Sequence, residues 1–441
     1  MQKIIQSLVI GLLFFTLSYY FFTPTQAKLI GLIALLVTMW TNSALPLGVV
    51  SLLPIILFPA FDIINIKAVS PNYSKSIIFL FLGGFMLALA LQKTDTHKYL
   101  SKKLLSLFPH TPRGIIYALA ITSALLSSIL SNTTITLMLM PIGLFLTENP
   151  KLKVRFLIAI AYGASIGGII TPIGTPPNMI LLGFLDSVGI TAPTFGEWIL
   201  KVSPIAILML LCIPFLLSLG VQNEELEKMD KTTSKLDKKQ KRLLWILGSL
   251  VLLLLINTPI KPYYQGLGLN EKIILLSYGL IMFLPNIGFL EWEDTKDIPY
   301  EIVFLFGAGF SIATAFSKTG LAASIAEKLS FISDMPLIWM IFFIALFVSF
   351  STEVTSNTAL TSIALPIFYE FAKNMGEQGL VIMMVATIAA SYAFMLPIAT
   401  PPNAIIMSSR VIKIKEMAKV GFFANMLGVI FVTLVGWLIW S

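Results

Sequence analysis

The chain has 441 residues, of which 57% are hydrophobic and 12% are charged, and its formal net charge is +8. Its mean hydropathy of +0.89 lies far above the range of soluble globular proteins, so the composition predicts a polytopic membrane protein. A single cysteine, Cys212, excludes an internal disulfide, and two histidines in the whole chain argue against a haem or a His/Cys metal centre.

Long apolar segments recur from the first residues to the last. A helix needs about 20 apolar residues to cross a bilayer, and such runs include 4–22, 77–91, 156–185 and 420–440. About eleven transmembrane helices fit the whole sequence. The first run is too long for the apolar part of a signal peptide and lacks a small-residue cleavage site, so it is interpreted as a retained helix.

Basic residues cluster in four short connections, at 93–113, 151–155, 228–242 and 410–419. The positive-inside rule places these connections in the cytoplasm. The N-terminus is therefore predicted to be cytoplasmic and the C-terminus external, in a multi-pass protein of the plasma membrane or cell inner membrane. No basic cluster is accompanied by stacking aromatic residues or a soluble domain, so the charge predicts no nucleic-acid partner.

Three motifs recur at a constant offset of 225 residues. FLFLGGFMLALALQKT at 79–94 matches FLFGAGFSIATAFSKT at 304–319 at nine of sixteen positions without a gap. The same offset relates the Ser-Asn-Thr triplets at 131–133 and 356–358, and relates TPIGTPPNMI at 171–180 to LPIATPPNAI at 396–405. Apolar composition alone does not reproduce such motifs in phase, so the chain consists of two homologous halves.

The halves are predicted to be inverted relative to each other. Five steps lead from the helix at 77–92 to its counterpart at 302–317, and an odd number of crossings inverts a repeat. This count assumes that each Ser-Asn-Thr segment enters and leaves the membrane on one face, as a re-entrant hairpin does. Basic clusters on both sides of the first triplet support that assumption, and inverted repeats are typical of secondary transporters.

The predicted fold is an all-α polytopic membrane protein with about eleven transmembrane helices and two re-entrant hairpins in two inverted-topology repeats. Two amphipathic stretches, at 96–108 and 320–332, are expected to lie at the two membrane surfaces. The predicted domains are an N-terminal helix at 1–27, a first repeat at 28–222 with its hairpin at about 112–147, a cytoplasmic linker at 223–242, and a second repeat at 243–441 with its hairpin at about 337–370.

Each Thr-Pro-Pro sequence is expected to interrupt a helix, because proline has no N–H and restricts the residue before it. Carbonyls freed at membrane depth are tolerated only inside protein or beside a polar cavity. Such carbonyls, together with Ser, Thr and Asn oxygens, suit a hard cation such as sodium. A proline kink that serves packing alone is the alternative, and two copies in register with Ser-Asn-Thr disfavour it.

The Ser-Asn-Thr triplets offer hydroxyl and amide donors to a carboxylate or a sulfate, and a hairpin tip exposes a helix N-terminus that favours anions. No Lys, Arg, Asp or Glu occurs within 115–146 or 157–185. A dianion in such a neutral site needs bound cations to compensate its charge. The motifs therefore predict coupling to sodium, with sodium binding before the anion.

The paired Ser-Asn-Thr triplets, the paired TPPN breaks and TEVTSNTA at 352–359 resemble the divalent anion/sodium symporter family, which moves dicarboxylates, citrate or sulfate. The resemblance covers nearly the whole chain. It implies a homodimer in which a mobile transport domain moves like an elevator against a scaffold domain. SNTTIT and SNTALT stand where the family commonly has SNTAT, which leaves the choice of substrate open.

The resemblance also implies the residues of the site. One sodium ion is expected at Ser127, Ser131, Asn132 and the carbonyl of Gly174. A second sodium ion is expected at Thr352, Thr355, Asn357 and Ala399. Substrate contacts are implied for Asn132, Thr133, Thr175, Pro176, Asn357, Thr358, Thr400 and Pro401. Glu353 fits the family pattern and is interpreted as structural and not as a ligand.

The sequence thus predicts a symporter that uses at least two sodium ions to import a small dianion, with a C4-dicarboxylate (succinate, malate or fumarate) as the favoured substrate. Sulfate and citrate remain alternatives. A sodium-independent exchanger of the same fold is a further alternative, although it is expected to carry a Lys, Arg or His near the cation positions, and none occurs there. A channel needs a continuous pore and an enzyme needs a nucleophile, acid or metal motif, so neither class is favoured.

Overall fold

The computed structural model describes residues 1–221, 235–259, 263–328, 335–372, 375 and 377–441, and the described part of the chain is helical without strands. Two short 3-10 helices, Ser70–Ser74 and Trp292–Asp297, accompany the α-helices. The helices of the first half are α1 (Gln2–Ser18), α2 (Pro24–Asn42), α3 (Leu47–Ala60), α4 (Ile66–Val69), α5 (Ser76–Lys93), α6 (Thr96–Ser106), α7 (Pro112–Ser127), α8 (Asn132–Phe145), α9 (Pro150–Gly168), α10 (Pro176–Ser187) and α11 (Phe195–Ser218).

The last seven helices of the second half repeat the order of α5–α11. The members of this half are α12 (Lys238–Asn257), α13 (Glu271–Ile281), α14 (Tyr300–Thr319), α15 (Leu321–Lys328), α16 (Leu337–Ser351), α17 (Asn357–Ala372), α18 (Glu377–Ala389), α19 (Pro401–Ser408) and α20 (Ile414–Val435), followed by a π-helical turn, Gly436–Trp440. Four helix starts are 225 residues apart in the two halves, those of α6 and α15, α7 and α16, α8 and α17, and α10 and α19. The constant offset of the motifs is therefore also an offset of helix boundaries.

Within the described residues, five segments are long and apolar enough to cross a membrane by length and composition, namely Ile66–Lys93, Phe195–Ser218, Lys238–Asn257, Tyr300–Thr319 and Ile414–Trp440. Other apolar helices are shorter, and two helices are interrupted. Helix α9 ends at Gly168 and α10 begins at Pro176, while α18 ends at Ala389 and α19 begins at Pro401. The predicted breaks at the two Thr-Pro-Pro sequences are confirmed.

The boundaries proposed from the sequence shift slightly against the helices. Residue 28, the predicted start of the first repeat, lies inside α2, which begins at Pro24. Of the predicted linker at 223–242, residues 238–242 form the first turns of α12, and 223–234 lie outside the described residues. The first amphipathic stretch forms α6. The second forms α15 as far as Lys328, and 329–332 lie outside the described residues.

Helix contacts divide the described chain into two groups. The hairpin group comprises α7–α11 and α16–α20, whose members pack mainly on one another, as α7 and α8 do on α9, α16 and α18 on α20, and α19 on α8. The frame group comprises α1–α5 and α12–α14, in which α1 packs on α2, α3 on α14, and α5 on α13. Helices α6 and α15 adjoin both groups, and α10 and α17 contact α14.

Polar contacts connect members of the frame group at its predicted cytoplasmic end. Lys93 at the end of α5 forms an ion pair of 2.6 Å with Asp294, which lies in the 3-10 helix before α14. The Lys93 ammonium holds the pKa of the Asp294 carboxyl below its usual range. The Gln240 side chain of α12 donates to the Thr94 carbonyl at 3.2 Å. The end of α5 thus makes polar contacts both with α12 and with the 3-10 helix before α14.

Candidate functional site

The first hairpin tip lies between α7 and α8, and hydrogen bonds among its own side chains and backbone hold its shape. Ser127 Oγ, at the end of α7, donates to Asn132 Oδ1 at 2.6 Å. Ser131 caps α8 and accepts from the Thr134 N–H at 3.2 Å, since the first N–H groups of a helix have no intrahelical acceptor. The Asn132 amide is thereby fixed at the start of α8, with its oxygen beside a hydroxyl.

The second tip, between α16 and α17, repeats this arrangement. Thr352 Oγ1 lies 2.6 Å from Asn357 Oδ1 and 3.0 Å from the Ala390 carbonyl oxygen. Three oxygens therefore meet around a single hydroxyl proton. Thr355 Oγ1 donates to the Ser351 carbonyl at 2.9 Å. A cluster of hydroxyl, amide and carbonyl oxygens without a competing cationic side chain has the ligand chemistry that sodium requires, so the residues of this tip fit the ion.

Two asparagines hold the broken helices in shape. The Asn178 side-chain nitrogen donates to the Gly168 carbonyl at 3.1 Å and to the Thr171 carbonyl at 2.9 Å. Its repeat partner Asn403 donates to the Ala393 and Leu396 carbonyls, both at 3.0 Å. Both asparagines are fully buried. Each one satisfies two carbonyls that the interrupted helix leaves free, so these side chains set the path of the chain into the Thr-Pro-Pro segment.

Glu353 reinforces the second break only. One carboxylate oxygen accepts from the Met395 N–H at 2.9 Å and from Asn425 Nδ2 at 2.7 Å, and the other accepts from the Leu396 N–H at 2.9 Å. The residue 225 positions earlier is Ser128, whose carbonyl accepts from the Thr171 hydroxyl. Each tip is therefore hydrogen-bonded to its break, the first through a backbone carbonyl and the second through a carboxylate. The contacts agree with the interpretation of Glu353 as structural.

One cavity of about 520 Å³ contains both tips and both breaks. All eight residues predicted to contact substrate line it, namely Asn132, Thr133, Thr175, Pro176, Asn357, Thr358, Thr400 and Pro401. Of the remaining residues predicted for sodium, four also line it, namely Ser131, Gly174, Thr355 and Ala399. Ser127 and Thr352 do not line the cavity. Their hydroxyl groups donate to the amide oxygens of Asn132 and Asn357, which do line it.

The electrostatics of the cavity come from backbone and not from charged side chains. Helices α8, α10, α17 and α19 all begin at residues that line the cavity, and each helix N-terminus carries roughly half a positive charge. The only charged side chain among the described lining residues is Asp297, at the rim. Four helix N-termini thus converge on a neutral space, an arrangement that favours an anion.

A glycine allows the first tip to pack closely on the first break. A Cβ atom at Gly168 would lie 2.9 Å from Asn132 Oδ1, 3.2 Å from Asn132 Nδ2 and 3.2 Å from the Thr175 Cβ. The Asn132 amide therefore rests directly against the last residue of α9. Any side chain at residue 168 would push the amide away from its position.

The sequence did not indicate the opposite wall of the cavity, which the frame group supplies. Its polar members are Trp40 and Thr41 of α2, Ser43, Gln92 of α5, and Asp297 before α14. Gln92 lies in the repeated segment at 79–94 but aligns there with Ser317, and the other four residues belong to no repeated motif. All five reach the cavity because α2, α5 and the segment before α14 border it. Asn178 and Asn403 lay in the repeated TPPN motif, and the offset was the signal that marked them.

An all-helical membrane fold in which two repeated sets of motifs enclose one cavity is typical of a transporter and not of an enzyme. Comparison with known proteins agrees. The citrate transporter family matches residues 33–389 of the chain. The chain belongs to the divalent anion/sodium symporter family.

Two curated relatives are named sodium-dependent dicarboxylate transporter SdcS. The protein from Staphylococcus saprophyticus is 30% identical, with 97% of this chain and 90% of the relative covered. The protein from Staphylococcus aureus strain USA300 is 31% identical, with 97% and 89% covered. Both relatives align with nearly the entire chain.

Solved structures with the same overall fold include two transporters. The Alcanivorax borkumensis YdaH transporter superimposes with a TM-score of 0.59 at 13% identity and covers 93% of this chain and 97% of its own. The Neisseria gonorrhoeae MtrF pump superimposes with a TM-score of 0.60 at 14% identity and covers 84% and 82%. At such low identity the likeness shows the fold alone.

Proposed function

We propose that the chain is a sodium-coupled symporter that imports a C4-dicarboxylate such as succinate, malate or fumarate across the plasma membrane. The observation that carries this proposal is the neutral cavity at which two asparagine-bearing tips and four helix N-termini converge. The names of the staphylococcal relatives point to the same coupling ion and substrate class. Helix N-termini and amide donors suit carboxylates, and the clustered oxygens suit sodium.

At least two sodium ions bind, one at each tip. The first ion is assigned to Ser127, Ser131, Asn132 and the Gly174 carbonyl, and the second to Thr352, Thr355, Asn357 and Ala399. The pairing of Asn132 Oδ1 with Ser127 and of Asn357 Oδ1 with Thr352 supports this assignment. Each Asn turns its oxygen to the ion and its NH2 group to the anion. Bound sodium thereby supplies the positive charge that no side chain of the cavity provides.

The symmetry of the tips favours a dicarboxylate over sulfate. Asn132 with Thr133 offers one amide and one hydroxyl, and Asn357 with Thr358 offers the same pair from the other half. Each pair suits one carboxylate group, whereas sulfate has a single charged centre. The remaining proposed contacts come from the two breaks, at Thr175, Pro176, Thr400 and Pro401. Malate and fumarate share the four-carbon spacing of succinate and therefore fit the same pairs.

Transport proceeds by movement of the hairpin group, acting as the transport domain, against the frame group, acting as the scaffold of a homodimer. The division of helix contacts into two groups supports this mechanism. The cavity extends to Ser43, Gln92 and Asp297, at the ends of helices that the charge pattern places in the cytoplasm. The structure is accordingly interpreted as an inward-open state of a protein whose N-terminus is cytoplasmic and whose C-terminus is external.

Uptake in proteoliposomes tests the proposal. An inward sodium gradient should drive accumulation of labelled succinate, and an equal potassium gradient should not. Unlabelled malate and fumarate should compete with succinate, whereas sulfate should compete poorly and citrate only in its dianionic form. Succinate counterflow that is equally fast without sodium would identify a sodium-independent exchanger and would refute symport.

A further inference from the structure

A second cavity of about 220 Å³ lies at the other ends of the helices that form the substrate cavity. Helices α10, α14 and α17 present their first turns to the substrate cavity and their last turns to this second cavity, at Phe184, Thr314 and Glu370. From Leu305 in the one wall to Thr314 in the other, α14 rises about 14 Å. By the predicted topology the second cavity faces the outside.

Packed side chains separate the two cavities in this structure. The rings of Phe184 on α10 and Tyr369 on α17 meet edge to face with centroids 5.5 Å apart. Phe310 of α14 packs against Gly183, which leaves no room for a side chain at residue 183. These side chains fill the space along α14 between the outer cavity and the substrate cavity.

Charge is divided between the two groups at this outer end. The frame group supplies lysines, at Lys75 before α5 and at Lys318 on α14, and both line the outer cavity. The hairpin group supplies carboxylates, at Glu370 on α17 in the same cavity and at Asp186 on α10. Asp186 forms a 2.9 Å ion pair with another frame lysine, Lys272 of α13. In this state the hairpin group thus places carboxylates next to the frame lysines.

The inner wall, which is the part of the substrate cavity lined by the frame group, differs in charge from the outer cavity. Where the frame group borders the substrate cavity, its described lining residues include Gln92 and Asp297 but neither Lys nor Arg. If the hairpin group slides outward along α14, its tips leave this wall and come to face Lys75, Thr314 and Lys318. The same movement carries Asp186 and Glu370 away from the frame lysines.

We propose that Lys75 and Lys318 form an anion-capture wall, which faces the external dicarboxylate in the outward-open state and shares the outer cavity with a carboxylate of the hairpin group in the inward-open state. This inference rests on the proposed symport and on movement of the hairpin group. Clustered cationic side chains raise the local concentration and the association rate of an anion. The inner wall lacks them, so release into the cytoplasm meets no such attraction. Lys75 and Lys318 act before the substrate reaches the tips and are not part of the final binding site.

The test uses the double variant Lys75→Gln/Lys318→Gln in right-side-out membrane vesicles. At about 10 mM sodium and no added salt, the apparent KM for external succinate should rise about fivefold to twentyfold, with the maximal rate unchanged. With about 300 mM choline chloride the increase should shrink to about twofold, because added salt screens exposed charges. In inside-out vesicles the apparent KM for succinate on the cytoplasmic face should be unchanged.

Two controls accompany the double variant. Lys75→Arg/Lys318→Arg keeps both charges and should behave like the wild-type protein. Lys67→Gln removes an exposed lysine of α4 that does not line the outer cavity and should leave both KM values unchanged. If the double variant transported at the wild-type maximal rate with an unchanged external KM, the capture wall alone would be overturned. An equal increase of the KM on both faces would also overturn it. Absence of sodium-driven uptake in the wild-type protein would overturn the proposed function and, with it, this inference.

Discussion

Replacement of the tip asparagines by aspartate tests whether these residues bind the ligands or only make polar contacts that pack helices together. Asn132→Asp and Asn357→Asp each keep the oxygen that lies 2.6 Å from Ser127 or Thr352. Each change replaces the NH2 donor with a second, negatively charged oxygen. The side chain keeps its shape, so the fold is expected to persist while the electrostatics of the cavity change.

The magnitude follows from the distance between the charges. Two like charges about 4 Å apart at an effective dielectric constant of about 20 repel each other by about 4 kcal/mol, roughly a thousandfold in affinity. No Lys, Arg or His among the described lining residues offsets this repulsion. Succinate affinity should therefore fall by about three orders of magnitude in either variant, whereas sodium binding should persist because the added charge attracts cations.

Thermal unfolding of the purified protein measures both effects, because a ligand of the native state raises the apparent unfolding temperature. In each variant sodium alone should still raise that temperature, and succinate added with sodium should no longer raise it further. Asn65→Asp is the matched control, since Asn65 caps the short α4 outside the cavity and aspartate caps equally well. If both tip variants kept the succinate-induced increase and normal uptake, the anion would bind elsewhere.

Three further outcomes are expected. Gly168→Ala should abolish most sodium-driven uptake, because its Cβ would lie 2.9 Å from Asn132 Oδ1, whereas Gly248→Ala, with open space around it, should transport normally. Glu353→Gln should destabilise the protein by about 1–3 kcal/mol in thermal unfolding, because an NH2 group would face a backbone N–H in place of an acceptor; unchanged stability would show that the carboxylate is dispensable. After Cys212 is replaced, cysteines introduced at Lys235 and Ser441 should react with an impermeant reagent from opposite sides, and labelling from one side would contradict the predicted topology.

The repeated motifs allowed much of the site to be predicted. The Thr-Pro-Pro breaks and the Ser-Asn-Thr tips have local causes, the missing N–H of proline and the capping side chain of Ser131, so their positions follow from short stretches of sequence. The offset of 225 residues then implied that the copies act together, and one cavity contains both.

The remaining features depend on packing between distant helices. Gln92, which aligns with a serine in the second copy of its segment, and Asp297 reach the cavity only through the placement of α5 and of the 3-10 helix before α14. The repeat also conceals a difference between its halves, because Glu353 fastens the second break while a serine carbonyl accepts at the first. The ion pair of Asp186 with Lys272, and the position of Glu370 in the same cavity as Lys75 and Lys318, likewise depend on packing between helices of the two groups.

Succinate binding measured against sodium concentration tests the central claim most directly. We expect the neutral cavity to bind a dianion only with sodium at both tips. Below sodium saturation, the dissociation constant for succinate in purified protein should then be roughly inversely proportional to the square of the sodium concentration. Choline in place of sodium should leave succinate binding undetectable. A dissociation constant that does not change with sodium would contradict the claim that bound cations supply the positive charge of the site.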